Sequence, residues 1–205
     1  MSGKTISTLE GLIQILRETV SQRRFVHSLG VAETTEMLLQ HYGCSVHEKS
    51  WNGFSAGSFC GIAHDMAREL PEPDLVQYCR ENSIPLTREE LESPVLAHGK
   101  VSAHMVRAYC PGYPESWQRA IEVHTTGAHG MDDLALALFV ADYLEPSRPF
   151  LTQDQRKGYV SQPDLPSCAY AVLSDMIAHW REKGYHDASG SSLALLRELE
   201  EKRRI

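Results

Sequence analysis

Histidine and aspartate side chains recur along the sequence in an order that could bind metal ions. The residues concerned are His27, His64, Asp65, His98, His124 and Asp142. Asp142 interrupts the apolar run 135–141, where a helix facing the core is expected. Burying a carboxylate in such a run costs free energy unless it is paired or bound to a cation. Asp142 is therefore the best single argument from the residues for a metal site.

Each of these residues also has an ordinary explanation. A single histidine on a helix is usually a hydrogen-bonded residue of the core or its boundary, as His27 beside Val26 and Val31 could be. Asp142 could pair with a buried arginine as readily as with a metal, and the dipeptide His64-Asp65 arises often by chance. The full order of His, His-Asp, His, His and Asp over successive helices is much harder to attribute to chance, so we favour the metal site.

The spacing is compatible with two metal positions. Neighbouring residues on a helix point about 100° apart, so His64 and Asp65 can approach one centre from adjacent directions. An aspartate has two oxygens and can bridge two cations, which a histidine cannot do. One cation could then be bound by His27, His64, Asp65 and Asp142, and a second by Asp65, His98 and His124. Such mixed imidazole and carboxylate ligands suit iron, manganese, zinc or nickel better than calcium or magnesium.

Helical periodicity predicts the elements that position these residues. Apolar residues recur at intervals of three and four, and we predict helices over residues 9–20, 23–42, 51–68, 73–82, 87–91, 98–109, 115–124, 131–144, 169–183 and 192–204. Gly53, Gly57 and Gly61 interrupt the third of these helices and indicate close packing or a short break. Few segments alternate with period two, so no sheet is predicted, and residues 151–166 are expected to be an irregular connection.

Length and composition favour one globular domain. The chain has 205 residues, 42% of them hydrophobic, which suffices for one buried core and leaves little for a second domain. A formal net charge of −7 gives no global electrostatic case for a nucleic-acid or membrane partner. An anionic substrate would need a local positive site made of metal ions and a few arginines.

Cysteine spacing and the N-terminal sequence further limit the class of protein to which the chain can belong. The five cysteines lie far apart without a CxxC pair, so we expect buried, reduced thiols rather than a disulfide framework or a zinc knuckle. The sequence shows no signal peptide and no apolar run of membrane-spanning length. We therefore expect a cytoplasmic enzyme.

Five short motifs resemble those of a known family. They are RFVHSLGV at residues 24–31, IAHDMAR at 62–68, His98, HTTG at 124–127 and VADYLEPSR at 140–148. In these motifs the chain resembles the HD-domain superfamily of metal-dependent phosphohydrolases, and within it the YqeK-type symmetrical diadenosine tetraphosphate hydrolases. The pair His64-Asp65 is typical of the whole superfamily, whereas the last two motifs and their spacing are specific to the narrower family. The resemblance covers roughly residues 20–150.

The resemblance implies an all-α fold, a single-domain helical bundle of the HD-domain type over residues 1–205. Its core would comprise residues 20–150, with C-terminal helices over residues 167–205 packed on it. The six residues named first would hold two metal ions, by resemblance two irons, with manganese, nickel or zinc as alternatives. The implied reaction splits diadenosine tetraphosphate into two ADP through a hydroxide that bridges the metals.

The same resemblance, together with positions near the ligands, assigns further roles. His64, Asp65 and Arg68 are expected to be catalytic. Residues expected to bind the substrate are Arg24, Arg68, Thr125, Thr126, Gly127 and Arg148. Glu145 is interpreted as an ion-pair partner, and Lys100 and His104 as either new phosphate contacts or exposed helix positions. The expected partner is the nucleotide substrate, a dinucleoside polyphosphate, without nucleic acid or membrane, and a homodimer is compatible with this chain length.

Departures from the family pattern leave the substrate open. The run Leu134-Ala135-Leu136 replaces a usual Leu-Glu-Lys step, and the residues after His98 and beyond Phe150 also differ. The alternatives are an HD-type phosphohydrolase of nucleoside di- or triphosphates and a nucleotide-binding regulatory module without activity. A cyclic dinucleotide phosphodiesterase is disfavoured, because the His-His-Glu and Gly-Tyr-Pro steps expected of it are absent from the sequence around residue 124.

Overall fold

A computed structural model describes residues 5–184 and 189–203 of the chain. Eleven α-helices occur in these ranges: α1 (Leu9–Thr19), α2 (Gln22–His41), α3 (Ala56–Ala63), α4 (Glu72–Glu81), α5 (Arg88–Glu92), α6 (His98–Tyr109), α7 (Glu115–Val123), α8 (Asp133–Leu144), α9 (Gln153–Val160), α10 (Leu165–Glu182) and α11 (Gly190–Lys202). A 3₁₀ turn, Pro94–Ala97, leads into α6, and strands β1 (Ser50–Trp51) and β2 (Phe54–Ser55) form a small antiparallel hairpin. The all-α class predicted from the sequence is confirmed.

Several helices begin where the sequence offers a side-chain cap. The hydroxyl of Thr8 accepts a hydrogen bond from Gly11 N at 3.1 Å and starts α1. The carboxylate of Asp132 accepts from Ala135 N at 2.8 Å and starts α8. Because these local signals coincide with the apolar periodicity, the predicted starts of both helices lie within two residues of the observed ones.

The hairpin replaces the beginning of a predicted helix. Where the periodicity predicts a helix from residue 51, the chain forms β1 and β2, and α3 begins only at Ala56. Asn52 and Gly53 have φ values of 46° and 82°, the left-handed conformations that a two-residue hairpin turn requires. The turn preference of this Asn-Gly pair therefore overrides the helical periodicity around it.

The segment 151–166, expected to be irregular, contains a helix. Thr152 and Gln155 form a reciprocal capping box that starts α9. No residue of α9 is buried, which explains why its apolar pattern is too weak to reveal it. Asp164 accepts a hydrogen bond from Ser167 N at 2.7 Å and starts α10 at Leu165, ahead of the predicted start at residue 169.

Helix α8 forms the centre of the core. Its residues 134–141 are all buried, and it packs against α2, α3, α7 and α10. A helix that is apolar on every side is expected in such a surrounded position. Buried residues of α10 and α11 belong to the same apolar cluster, so these C-terminal helices share the core with α8.

The remaining sequence expectations concern thiols and membrane spans. The five cysteines are free thiols, of which four are buried and Cys44 is half-buried. This agrees with the expected reduced, buried thiols. Among the described helices, none combines the length and the apolar character that a membrane span requires.

Glycine permits the closest approach of two helices near the candidate site. A Cβ built on Gly61 of α3 would lie 2.3 Å from the Cα and 2.5 Å from the N of Ala32 in α2. These are backbone atoms that cannot rotate away, so a side chain at residue 61 would force the two helices apart. Because α3 runs directly into His64 and Asp65, this contact also fixes where those side chains lie relative to His27.

We predict that Gly61→Ala lowers the free energy of unfolding by about 1–3 kcal/mol, because the added methyl overpacks the contact between α2 and α3. Urea unfolding followed by circular dichroism measures this loss. Gly158→Ala in α9 is the matched control, since a Cβ at residue 158 meets no atom within 4 Å. This control is expected to gain about 0.5–1 kcal/mol. Equal unfolding free energies for the two variants would contradict the prediction.

Candidate metal centre

The residues predicted to bind metals come together on or beside five helices. His27 lies in α2, His64 and Asp65 directly follow α3, His98 begins α6, His124 directly follows α7, and Asp142 lies near the end of α8. Asp142 is partly exposed, and the other five are buried, each with 4% or less of its surface exposed. Five separate segments of the chain therefore contribute polar side chains to one place inside an otherwise apolar bundle.

Three of the histidines are oriented by the backbone just before them. The Nδ1–H groups of His64, His98 and His124 donate to carbonyl oxygens three residues earlier, at 2.7, 2.6 and 2.7 Å. Carbonyls in the last turn of a helix lack partners within the helix and accept such bonds readily. Because a carbonyl oxygen can only accept, these partners assign the proton to Nδ1 and leave a lone pair on each Nε2.

Asp65 lies between two pairs of histidines. Its Oδ2 is 3.5 Å from His27 Nε2 and 3.3 Å from His64 Nε2. Its Oδ1 is 3.0 Å from His98 Nε2 and 3.7 Å from His124 Nε2. The two Nε2 atoms are 3.3 Å apart in the first pair, His27 with His64, and 3.1 Å apart in the second pair, His98 with His124. One oxygen of the same carboxylate therefore faces each pair.

Asp142 adds a second carboxylate to the first pair. Its Oδ1 is 3.0 Å from His27 Nε2 and 3.8 Å from His64 Nε2. The donor atoms of His27, His64 and Asp142 lie within 4.8 Å of one another, as do those of His64, Asp65 and His124. Both groups are compact enough to surround a metal ion.

The donor atoms fit transition-metal ions. Nitrogen lone pairs 3.1–3.3 Å apart repel each other unless a proton or a cation lies between them. Imidazole nitrogens combined with carboxylate oxygens are donors that iron, manganese, zinc and nickel accept. The first position would be bound by His27, His64, Asp65 and Asp142, and the second by Asp65, His98 and His124.

The carboxylates hold negative charge inside the bundle. Burial opposes ionisation of Asp65, but the neighbouring His64 and His124 keep the pKa of Asp65 well below its usual range. Burial likewise lowers the pKa of His27, yet hydrogen bonds to Asp142 and Asp65 outweigh it and raise the pKa of His27 to about 10. The centre therefore favours added positive charge, either a proton on His27 or a bound cation.

Glu145 lies directly behind His27. Its Oε1 accepts a hydrogen bond from His27 Nδ1 at 2.9 Å, so this ring differs from the other three in having a carboxylate rather than a carbonyl as its Nδ1 partner. Glu145 follows Asp142 by three residues at the end of α8, a spacing that places two side chains on the same side of a helix. That spacing is the signal in the sequence that could have placed it beside the ligands.

Two of the three predicted arginines contact the carboxylates. Arg24 forms an ion pair with Asp65 Oδ2, and Arg148 forms one with Asp142 Oδ1. Arg68 is half-buried, and within the described ranges its side chain forms no hydrogen bond or ion pair. The structure thus brings Arg24 and Arg148 to the centre and leaves Arg68 without a contact to it.

Of the two predicted threonines, Thr125 reaches the centre and Thr126 does not. The Thr125 hydroxyl oxygen is 3.3 Å from both Nε2 atoms of the second pair. The Thr126 hydroxyl donates to Gly127 O at 3.2 Å. Gly127 has a φ of 68°, and Leu195 of α11 occupies the space that a side chain at residue 127 would need. Gly127 therefore serves the turn and the contact with α11.

Lys100 and His104 contact other residues. Lys100 Nζ donates to Glu90 Oε2 at 2.7 Å, and the ring Nδ1 of His104 is 2.9 Å from the hydroxyl of Tyr78. These partners lie in α5 and α4, outside the candidate centre. The contacts favour a structural role for both residues over new phosphate contacts.

Comparisons with known proteins match more than half of this chain to one family. The sequence model of the HD domain matches residues 24–147, which is more than half of the chain and contains all six predicted ligands. "Bis(5'-nucleosyl)-tetraphosphatase, symmetrical" of Bacillus subtilis is 27% identical over 146 residues, covering 71% of this chain and 74% of the relative. The protein of the same name from Staphylococcus aureus is 28% identical over 165 residues, covering 80% of each chain.

A solved structure shares the fold. It is a predicted HD superfamily hydrolase involved in NAD metabolism from Clostridium acetobutylicum, with a TM-score of 0.81 and 24% identity. The alignment covers 95% of this chain and 98% of that one. The family match, the helical fold and the named relatives together show that this chain belongs to the HD-domain family of metal-binding hydrolases.

Proposed function

We propose that the protein hydrolyses dinucleoside polyphosphates with two bound metal ions, and that it splits diadenosine tetraphosphate symmetrically into two ADP. The observation that carries this proposal is the position of Asp65, with one oxygen towards each histidine pair. Of the side chains present, a carboxylate is the one that can bridge two cations. The relatives named symmetrical bis(5'-nucleosyl)-tetraphosphatases support the choice of substrate.

The six predicted ligands would hold metal ions at two neighbouring positions. When bound, the two ions would supply an activated water near neutral pH and neutralise charge on the phosphoryl oxygens. Asp65 would set the separation of the two positions, because its two oxygens lie at a fixed distance from each other. His64 would hold its lone pair in place through its bond to the backbone of α3. The proposed ions are iron, with manganese, nickel or zinc as alternatives that the same donors accept.

The arginines would supply positive charge for an anionic substrate. Arg24 Nε is buried and has no hydrogen-bond partner among the described residues, so one donor is left unsatisfied beside Asp65. Arg23, Arg24 and Arg148 line a cleft next to His27. In a protein of net charge −7, such a local cluster is what would draw phosphate groups to the metals.

The size of the cleft favours a phosphate chain over a whole nucleotide. Its volume is about 210 Å³, below the roughly 300–1,000 Å³ of pockets that enclose a small organic ligand. Phosphate groups would therefore enter the cleft, and the two nucleosides would extend along the protein surface. Such an arrangement suits cleavage in the middle of a symmetrical substrate.

We predict that the iron- or manganese-loaded protein converts diadenosine tetraphosphate to ADP alone. Anion-exchange chromatography of the products distinguishes ADP from an equal mixture of ATP and AMP. The mixture would contradict symmetrical cleavage. Faster turnover of ATP or ADP than of diadenosine tetraphosphate, at the same metal loading, would instead favour a nucleoside di- or triphosphate hydrolase.

Asp65→Ala is expected to reduce the bound metal below two ions per chain and to slow hydrolysis by at least about a hundredfold, because both positions lose a charged ligand. Elemental analysis and the product assay measure the two effects. Asp154→Ala is the control, since the side chain of Asp154 is 95% exposed. An Asp65→Ala variant that kept two ions and full activity would show that the bridging role is wrong.

Arg148→Ala is expected to raise KM for diadenosine tetraphosphate about tenfold or more, because a charge-assisted bond to phosphate contributes about 1.5–3 kcal/mol. Steady-state kinetics at fixed metal content measures KM. Arg88→Ala removes an exposed arginine paired with Glu92 and is expected to leave KM unchanged. Equal KM values for the two variants would argue against a phosphate contact at residue 148.

A further inference from the structure

The four histidines of the centre differ in what holds their rings. In His64, His98 and His124 the Nδ1–H donates to a neutral backbone carbonyl. In His27 it donates to the carboxylate of Glu145 at 2.9 Å. A carboxylate partner withdraws the Nδ1 proton more strongly than a carbonyl does, and this makes the opposite nitrogen a stronger electron donor. His27 is therefore chemically distinct from the other three rings.

Several contacts fix the position of Glu145. The residue is fully buried. The backbone N–H of Ser147 donates to its Oε2 and the Ser147 hydroxyl donates to its Oε1, both at 2.6 Å. On the side of α2, a Cβ at Gly30 would lie 2.7 Å from Oε2, so the absence of a side chain at residue 30 leaves the space that the carboxylate occupies. This many restraints on one buried carboxylate indicate a specific role.

The two metal positions also differ in their ligands. The first would have four protein ligands, of which two are carboxylates, and the second would have three, of which one is the shared carboxylate of Asp65. Arg24 and Arg148 lie beside the first position and offset part of its negative charge. The charge of the ligands alone therefore does not predict which position binds its ion more tightly. The number of ligands and the stronger donor at His27 both favour tighter binding at the first position.

We propose that Glu145 is a positioning residue that fixes the Nδ1–H form of His27, so that the first position, at His27, His64, Asp65 and Asp142, holds its ion more tightly than the second. The inference rests on the proposed function in supposing two metal positions. It adds an order of release: the ion bound by His98, His124 and Asp65 leaves first. The ligand class is a divalent transition-metal ion.

Replacing the carboxylate by an amide disturbs this arrangement in either orientation. If the amide NH₂ of Glu145→Gln takes the place of Oε2, it meets the backbone N–H of Ser147, which is also a donor. If it faces His27, that ring must accept at Nδ1 and carry its proton on Nε2, where a metal would bind. Both arrangements weaken the first position and leave the carbonyl partners of His98 and His124 unchanged.

The test measures metal retention by the full-length protein. The protein is loaded with Mn²⁺ and exposed to increasing concentrations of a chelator, and the manganese that remains per chain is counted by elemental analysis. Wild type is expected to lose its two ions in two steps. In Glu145→Gln the tightly held ion is expected to leave at about 10–100-fold lower chelator activity, with the weaker step unchanged. His98→Ala, the matched control, is expected to lose the weaker ion alone.

Three results would overturn the inference. They are a Glu145→Gln profile that overlays wild type, an equal weakening of both steps, and a single step for both ions in wild type. None of these three results contradicts the proposed function. A wild-type protein that binds no Mn²⁺, Fe²⁺, Zn²⁺ or Ni²⁺ would contradict the proposed function itself. If Glu145→Gln does not fold by circular dichroism, Ser147→Ala takes its place. This variant keeps the carboxylate but removes one of its donors, and it is expected to shift the tighter step alone.

Discussion

The carboxylate of Asp65, buried among four histidines, is the constraint on which the arrangement of the bundle depends. A carboxylate with 2% of its surface exposed is stable in the interior only where positive or hydrogen-bonding groups surround it. Those groups come from α2, α6 and α7, helices distant in sequence from Asp65. The helices must therefore meet closely, and glycine permits this at Gly61, against Ala32, and at Gly99, where a Cβ would lie 2.8 Å from the backbone oxygen of Ile121.

Local backbone chemistry explains why the ligands can be predicted from the sequence. His64 and His124 follow helix ends and donate to the carbonyls three residues earlier, so their direction depends on a few neighbouring residues. The grouping of all six side chains rests on their type and order together with the resemblance to the HD-domain superfamily. The assignment of Asp65 to both groups also follows from its type, because a carboxylate has two oxygens. Their roles as metal ligands stay a prediction for the experiments to test.

Tertiary contacts explain what the sequence could not show. The directions of Arg24, Arg148 and Lys100 depend on which carboxylates the fold brings near them, and no spacing in the sequence encodes this. The same holds for Glu145, whose interpretation as an ion-pair partner names no partner, although its spacing from Asp142 is visible in the sequence. The hairpin after Trp51 and helix α9 escape prediction for a simpler reason. Each is short, and each is marked by turn or capping residues rather than by apolar periodicity.

Helix α9 shows that segments without ligands can determine the geometry of the centre. Arg156 of α9 donates from Nε to the carbonyl of Leu144, from Nη1 to that of Leu151 and from Nη2 to that of Arg148. One guanidinium thus holds both ends of the turn that carries Glu145 and Arg148. The turn has carbonyls at the end of α8 without partners inside the helix, and a cation is the favourable partner for them. The family motif at residues 140–148 therefore contains the predicted ligand Asp142 but not Arg156, which holds the turn after it in place.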